Sequence, residues 1–120
     1  MSTCTPEIIA KKWLEAFNHH DLKDLLALYH EEAVHTSPKL RTLRPETKGQ
    51  VKGKPALKEW WKDAFKRLPS LQYELDRLTA NNSRVFIEYT RKVKGEPDMK
   101  VAELLEISKG LIVASYVYHG

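Results

Sequence analysis

The feature that most limits what this chain can fold into is a change of period at Pro69-Ser70. Before it, apolar residues recur at helical spacing: Ile9, Trp13, Ala16 and Phe17 mark one buried face, and Leu57, Trp60, Trp61, Ala64, Phe65 and Leu68 mark another. After it they recur every second residue, as Leu71, Tyr73 and Leu75 and then as Val85, Ile87 and Tyr89. Helices therefore come first and strands second. A chain of 120 residues, 42% of them apolar, holds one hydrophobic core and is short for two. We read residues 1–120 as a single α+β domain whose helices cover one face of an antiparallel sheet.

Local signals set the boundaries. Thr5-Pro6-Glu7 starts a helix that should run to about Asn18, with a capping hydroxyl, a proline in the first turn and an acid at the positive helix end. Asn18-His19-His20-Asp21 interrupts it, and Asp21 caps a short second helix carrying Leu22, Leu25, Leu26, Leu28 and Tyr29. Ala33-Val34-His35-Thr36-Ser37 reads as a short strand stopped by Pro38, and Gly53-Lys54-Pro55 opens a third helix. Asn81-Asn82, Gly95-Glu96-Pro97-Asp98 and Lys109-Gly110 then divide the remainder into four strands of a meander. His19, His20 and His30 fall at helix ends, where solvent exposure is expected.

Composition excludes several classes. The longest apolar run, Leu111 to Tyr118, is far shorter than the roughly 20 residues of a membrane-spanning helix. Met1 to Lys12 lacks the apolar core of a secretory signal, and the lone Cys4 offers no internal disulfide, so a cytoplasmic protein with no membrane partner is expected. No His/Asp/Glu spacing resembles a metal site, and no metal or cofactor is expected. The net charge of +4 is unevenly placed: six cations between Pro38 and Lys54 face only Glu46, which leaves the rest of the chain near −1. That segment reads as a loop flanking a pocket entrance, able to attract an anionic ligand through its local field or simply to be solvated. It has no aromatic residue to stack on bases, which ranks nucleic acid last among partners.

Trp13-Leu14-Glu15-Ala16-Phe17-Asn18-His19-His20-Asp21-Leu22, Leu26-Ala27-Leu28-Tyr29, Gly53-Lys54-Pro55-Ala56-Leu57 and Lys109-Gly110-Leu111-Ile112-Val113 together resemble the nuclear transport factor two-like superfamily, in its SnoaL-like and steroid-isomerase-like branch. The resemblance implies a cystatin-like cone, an α+β roll with three N-terminal helices packed on a curved antiparallel four-strand meander plus one short N-terminal strand, enclosing a pocket. Isomerases, cyclases, dehydratases, hydrolases and binding domains share that fold, so it does not decide the chemistry.

By position, the hydroxyl donor, carboxylate base and protonated acid of steroid isomerases correspond here to Trp13, Ser37 and Glu103; only the last keeps an acid. Polyketide cyclases of the SnoaL branch use an acid on the final strand, and Ile112 to His119 has none. Tyr116 and Tyr118 on that strand are read as inward-facing pocket wall. Glu103 also stands on its own register: it shares a strand face with Met99, Val101, Leu105 and Ile107, where a charged, unpaired carboxylate is costly. It is the leading catalytic candidate, against a structural hydrogen bond. His35 on the short strand is the second, as a general base near neutral pH or as a structural histidine. Phe17, Ser37 and Trp61 join Trp13, Tyr116 and Tyr118 as expected substrate-binding residues.

These readings describe a small-molecule-binding protein of SnoaL-like type, of isomerase or cyclase chemistry on an apolar cyclic ligand. The competing reading is a non-catalytic binding or assembly domain whose pocket is filled by Trp13, Phe17 and Tyr116. A homodimer is expected through the outer sheet face, using Ala102 and Leu104 with Val113, Ser115 and Val117.

Overall fold

A computed structural model describes residues 5–119; Cys4 lies outside the described residues. Among the described residues there are four α-helices, α1 (Pro6–Asn18), α2 (Leu22–Ala27), α3 (Pro38–Leu43) and α4 (Lys54–Arg67). They accompany six strands, β1 (Tyr29–Thr36), β2 (Gln50–Lys52), β3 (Gln72–Ala80), β4 (Arg84–Lys92), β5 (Met99–Ser108) and β6 (Leu111–His119). The α+β class and the four-strand meander follow the sequence reading. All six strands form one curved sheet in the order β2-β1-β6-β5-β4-β3.

The helix starts are chemically plain. The Thr5 hydroxyl accepts a hydrogen bond from the Ile8 amide at 3.3 Å, and the Asp21 carboxylate accepts one from the Asp24 amide at 3.0 Å. Residues Ile9, Ala10, Trp13, Leu14, Ala16 and Phe17 of α1 are buried against the inner face of the sheet. Leu57, Trp60 and Trp61 of α4 close the same core from the side of β1 and β2. Within the core, Phe17 meets Trp61 edge-on at 5.9 Å, and Trp13 stacks against Tyr73 at 5.8 Å. Among the described residues, no helix is long and apolar enough to cross a membrane.

The structure departs from the sequence reading in four places. First, β1 begins at Tyr29, because α2 already stops at Ala27 and the Ile112 amide donates to the Leu28 carbonyl at 2.8 Å, which draws the next residue into the sheet. Second, the basic segment is folded rather than looped. Ser37 caps α3, fully buried Leu40 anchors it, a 3-10 turn at Pro45–Thr47 follows, and β2 pairs antiparallel with β1.

Third, β6 contains a bulge. Glu106 pairs with Ala114 but Ile107 pairs with Ile112, so Val113 is the extra residue and every side chain beyond it changes face. Ser115, Val117 and His119 consequently share the rows of Leu105, Glu103 and Val101 and face the helices. Tyr116 and Tyr118 share the rows of Leu104 and Ala102 and face outward. Fourth, only His19 and His30 face solvent; His20, at φ 53°, places Nε2 at 2.8 Å from the Leu71 carbonyl and stacks on Phe65 at 4.6 Å.

Asn18 closes one sheet edge. Its side-chain amide donates to the Tyr73 carbonyl at 2.9 Å and accepts from the Tyr73 amide at 2.7 Å, so it substitutes for a strand residue beside β3. Asn18→Leu removes both partners at once and should lower stability by roughly 1–3 kcal/mol. Urea unfolding with an unchanged midpoint would show that the edge does not depend on this amide.

Candidate functional site

The inner sheet face carries its polar side chains in one patch. Alternation on β4 points Tyr89 and Arg91 inward, and β5 contributes Glu103 between Val101 and Leu105. The bulge turns Ser115, Val117 and His119 of β6 toward the same side, and the parallel ladder sets His35 of β1 directly beside Ser115. Between this patch and α4 lies a cavity of about 190 Å³, walled by Phe17, Trp61, Tyr73 and Tyr89 and reached by His35 and Glu103. A cavity of this size holds several waters or a small molecule.

Glu103 is 2% exposed. Its Oε1 accepts a hydrogen bond from the Tyr89 hydroxyl at 3.3 Å, while Oε2 is buried without a hydrogen-bond partner. Desolvation pushes its pKa up to about 8, with the Tyr89 hydrogen bond as the smaller, opposing effect. At pH 7 the carboxyl is therefore mostly protonated and has a proton to donate. Burial raises the Tyr29 and Tyr73 phenols as well, with the neighbouring Glu103 carboxylate adding to the effect. These phenols stay neutral at any physiological pH.

His35 is buried, with Nδ1 at 2.6 Å from the Ser115 hydroxyl and its ring edge-on to Trp61 at 5.2 Å. Desolvation lowers its pKa to about 3, so the ring is neutral at pH 7. Behind it, the Trp13 indole N–H donates to the Tyr29 hydroxyl at 3.1 Å, and that hydroxyl donates to Ser115 Oγ at 3.4 Å.

A second polar group marks the cavity mouth. Arg91, 8% exposed, donates from Nη1 to Glu96 Oε1 at 2.9 Å, and this guanidinium holds the Glu96 carboxyl below its usual range. Lys39 and His119 line the same mouth. Burial, then the charges of Lys39 and Arg91, lower the His119 pKa. Among the cations of the basic segment, Lys39 lines the cavity, whereas Arg44 lies 3.9 Å from Asp63 and 5.6 Å over the Trp60 ring, and Lys54 lies 3.7 Å from Glu31.

The structure thus brings Glu103, His35, Phe17, Ser37 and Trp61 to one cavity. Ser37 also caps α3, its hydroxyl accepting from the Lys39 amide at 3.2 Å. Trp13 is displaced from the expected wall: it is wholly buried behind the cavity, and its one polar atom is committed to Tyr29. Tyr116 and Tyr118 are not in the site, because the bulge points them outward; Tyr116 reaches Glu106 at 3.4 Å and Tyr118 is 52% exposed. Arg91 and His119 enter the site without having been singled out from the sequence, and Ser115, expected on the outer sheet face, joins it from the inner face through His35. Arg91 carried a signal, since it continues the inward alternation of Val85, Ile87 and Tyr89. Among the described residues, no cluster of three or more His, Cys, Asp or Glu side chains forms a metal-binding group.

Comparison with known proteins agrees with this architecture. The family model of the SnoaL-like domain matches residues 10–115, and the chain belongs to that family. A SnoaL-like protein of unknown function from Burkholderia thailandensis is similar at 22% identity and a TM-score of 0.87, over 99% of this chain and 97% of that one. A protein of unknown function with a cystatin-like fold from Methylobium petroleophilum has 22% identity and a TM-score of 0.79, over 100% of this chain and 78% of its own. A protein of ketosteroid isomerase-like fold from Catenulispora acidiphila, in complex with trimethylamine, has 19% identity and a TM-score of 0.73, over 95% of this chain and 85% of its own. At these identities the likeness establishes the fold. No curated protein matches the sequence.

The two buried titratable groups imply a specific pH profile. Glu103 binds its proton more tightly when folded, at about 8 against an ordinary 4.5, so its contribution to stability falls as pH rises through that interval. His35 binds its proton less tightly, at about 3 against 6.5, so stability falls as pH drops through that interval. The two slopes cancel between pH 4.5 and 6.5, leaving a plateau with a loss on either side. Glu103→Gln should abolish the alkaline loss between pH 6.5 and 8 in urea-midpoint measurements. An alkaline loss that persists in the variant would mean the carboxyl is not neutral when buried.

Proposed function

We propose that this member of the SnoaL-like family binds a compact, largely apolar carbonyl compound, with the neutral Glu103 carboxyl as its polar anchor. The observation that carries the reading is the orphaned Oε2 of Glu103, buried at the wall of a cavity that also presents Phe17, Trp61, Tyr73, Val101 and Val117. A carboxyl held neutral by desolvation donates a hydrogen bond to a carbonyl oxygen, and that bond strengthens as charge builds on the oxygen. That donor is the acid half of isomerase- or cyclase-type chemistry; neither the protonated Glu103 nor the buried His35 supplies the base that would take the proton beside the carbonyl, so the reading is one of binding. The open cavity speaks against the packed-shut alternative: Phe17 forms wall, Trp13 lies behind it and Tyr116 lies outside. Lys39 and Arg91 at the mouth make an anionic substituent compatible with the same site.

Trp60 and Trp61 line the cavity, which makes their fluorescence a direct readout. Cyclohexenone should quench it saturably. Glu103→Leu should weaken binding about tenfold, and Glu103→Gln, which still donates, only about two- to threefold. Equal affinities for wild type and Glu103→Leu would overturn the reading. Solvent-deuterium exchange at the carbon beside the ketone, followed by NMR, separates an enzyme from a binding module.

The apolar side chains on the outer sheet face support a homodimer. With the β6 bulge, that face presents Phe86, Leu104, Tyr116 and Tyr118 in adjacent rows, with Phe86 and Tyr118 exposed. This apolar set differs from the expected one, since Ser115 and Val117 have moved to the inner face. Light scattering should give a dimer mass for wild type and a monomer mass for Tyr118→Glu. A monomeric wild type across micromolar concentrations would end the proposal.

A further inference from the structure

We propose that His35 is a fixed, neutral hydrogen-bond donor that presents Nε2–H to the cavity, and that Trp13, Tyr29 and Ser115 are positioning residues that hold it in that tautomer. The argument is an accounting of protons along one buried chain. An indole N–H only donates, so the Tyr29 oxygen, 3.1 Å away, accepts from Trp13. Tyr29 is fully buried, and the acceptor within reach of its own proton is Ser115 Oγ at 3.4 Å. Ser115 is fully buried too, and its proton meets His35 Nδ1 at 2.6 Å.

Run in this direction, Trp13 to Tyr29 to Ser115 to His35, every proton has an acceptor. Run the other way, with Nδ1–H donating to Ser115, the serine oxygen receives two donors and its own proton is stranded in the core, at the cost of an unsatisfied buried group. Nδ1 is therefore the accepting nitrogen, and the single imidazole proton sits on Nε2. The edge-on contact with Trp61 fixes the ring plane. His35 lines the cavity alongside Glu103. In this arrangement the ring is a donor to ligands and not a proton acceptor, which reverses the role the sequence suggests for it.

The consequence for ligand class rests on the carbonyl-binding reading above. Where Glu103 and His35 Nε2–H both donate into the cavity, they favour a ligand that turns acceptor oxygens rather than hydroxyls toward them. A ring-sized diketone fits this description and the corresponding diol does not.

Two measurements test the proposal separately. In ligand-free protein labelled with 15N-histidine at neutral pH, and with the His35 signals assigned by their loss in His35→Gln, Nε2 should carry the proton and Nδ1 none. A protonated Nδ1, or a charged ring, overturns the proposal whatever the ligand is. Ser115→Ala should give a mixture of tautomers and Ser115→Thr should restore the single one, a pattern that a merely space-filling serine would not produce. Cyclohexanedione should then bind wild type more tightly than cyclohexanediol does, and Ser115→Ala should lose about tenfold in dione affinity, the worth of one hydrogen bond. Equal affinities for dione and diol would refute the ligand class while leaving the tautomer result to stand on the spectra, and the Glu103 variants judge the anchor independently. Should Ser115→Ala fail to fold, the wild-type spectrum alone decides.

Discussion

Without the parallel ladder between β1 and β6, the helical half of the chain and the meander would touch only through helix-on-sheet packing. The ladder sets Val34, His35 and Thr36 beside Ala114, Ser115 and Tyr116, joining residues 80 positions apart in sequence. A parallel pair needs a long crossover, and everything from α3 to β5 supplies it. Closing so long a loop is entropically unfavourable, so the pair forms only once the meander and α4 can reward it with burial. The site inherits this dependence, because its His35–Ser115 contact is one rung of that ladder.

The interior so formed is polar in one place. Most buried side chains satisfy the ordinary rule of apolar contact or complete hydrogen bonding, as the buried Thr90 hydroxyl does on the outer face by donating to Asp76 and accepting from Lys100. Glu103 breaks the rule on a strand whose other inward residues are aliphatic. Desolvation of this kind destabilises the fold in its charged form, and the nearest relief, a hydrogen bond donated by the Tyr89 hydroxyl, is long at 3.3 Å. Conflicts between stability and local chemistry concentrate where a protein meets its ligand. Here the conflict faces the cavity and not the packed centre.

How far the sequence exposes this depends on what each signal requires. Glu103 was legible because strand alternation is strictly local: Val101 and Leu105 fix its face with no knowledge of the partner strands. The helix starts at Thr5, Asp21 and Gly53 were legible for the same reason. The β6 register was not. A single extra residue at Val113 reverses the faces of Tyr116 and Tyr118, and a bulge is decided by pairing across to Glu106 and Ile107 rather than by the strand's own pattern. The folded state of the basic segment was hidden likewise, since α3 and β2 are too short to hold without Leu40 in the core and β1 alongside. The Trp13–Tyr29–Ser115–His35 chain unites α1, β1 and β6, and no local spacing announces such a set.

The electrostatics of the finished site also differ from what the charge distribution along the chain suggests. The local +5 between Pro38 and Lys54 is offset at two of its cations once folded: Arg44 lies against Asp63 and Trp60, and Lys54 lies near Glu31. The cavity lining keeps Lys39, the Arg91–Glu96 pair and Arg67, which is paired with Asp63 at 2.7 Å, while His119 is neutral. The field there reaches about 8–10 Å in physiological salt, enough to favour an anionic group at the rim but not to dominate encounter. Deeper in, the protonated Glu103 and neutral His35 leave no charge to meet a carboxylate, and desolvating one beside them would be strongly unfavourable. Charge is therefore accommodated at the entrance and polarity without charge in the interior, an ordering that orients any ligand carrying both.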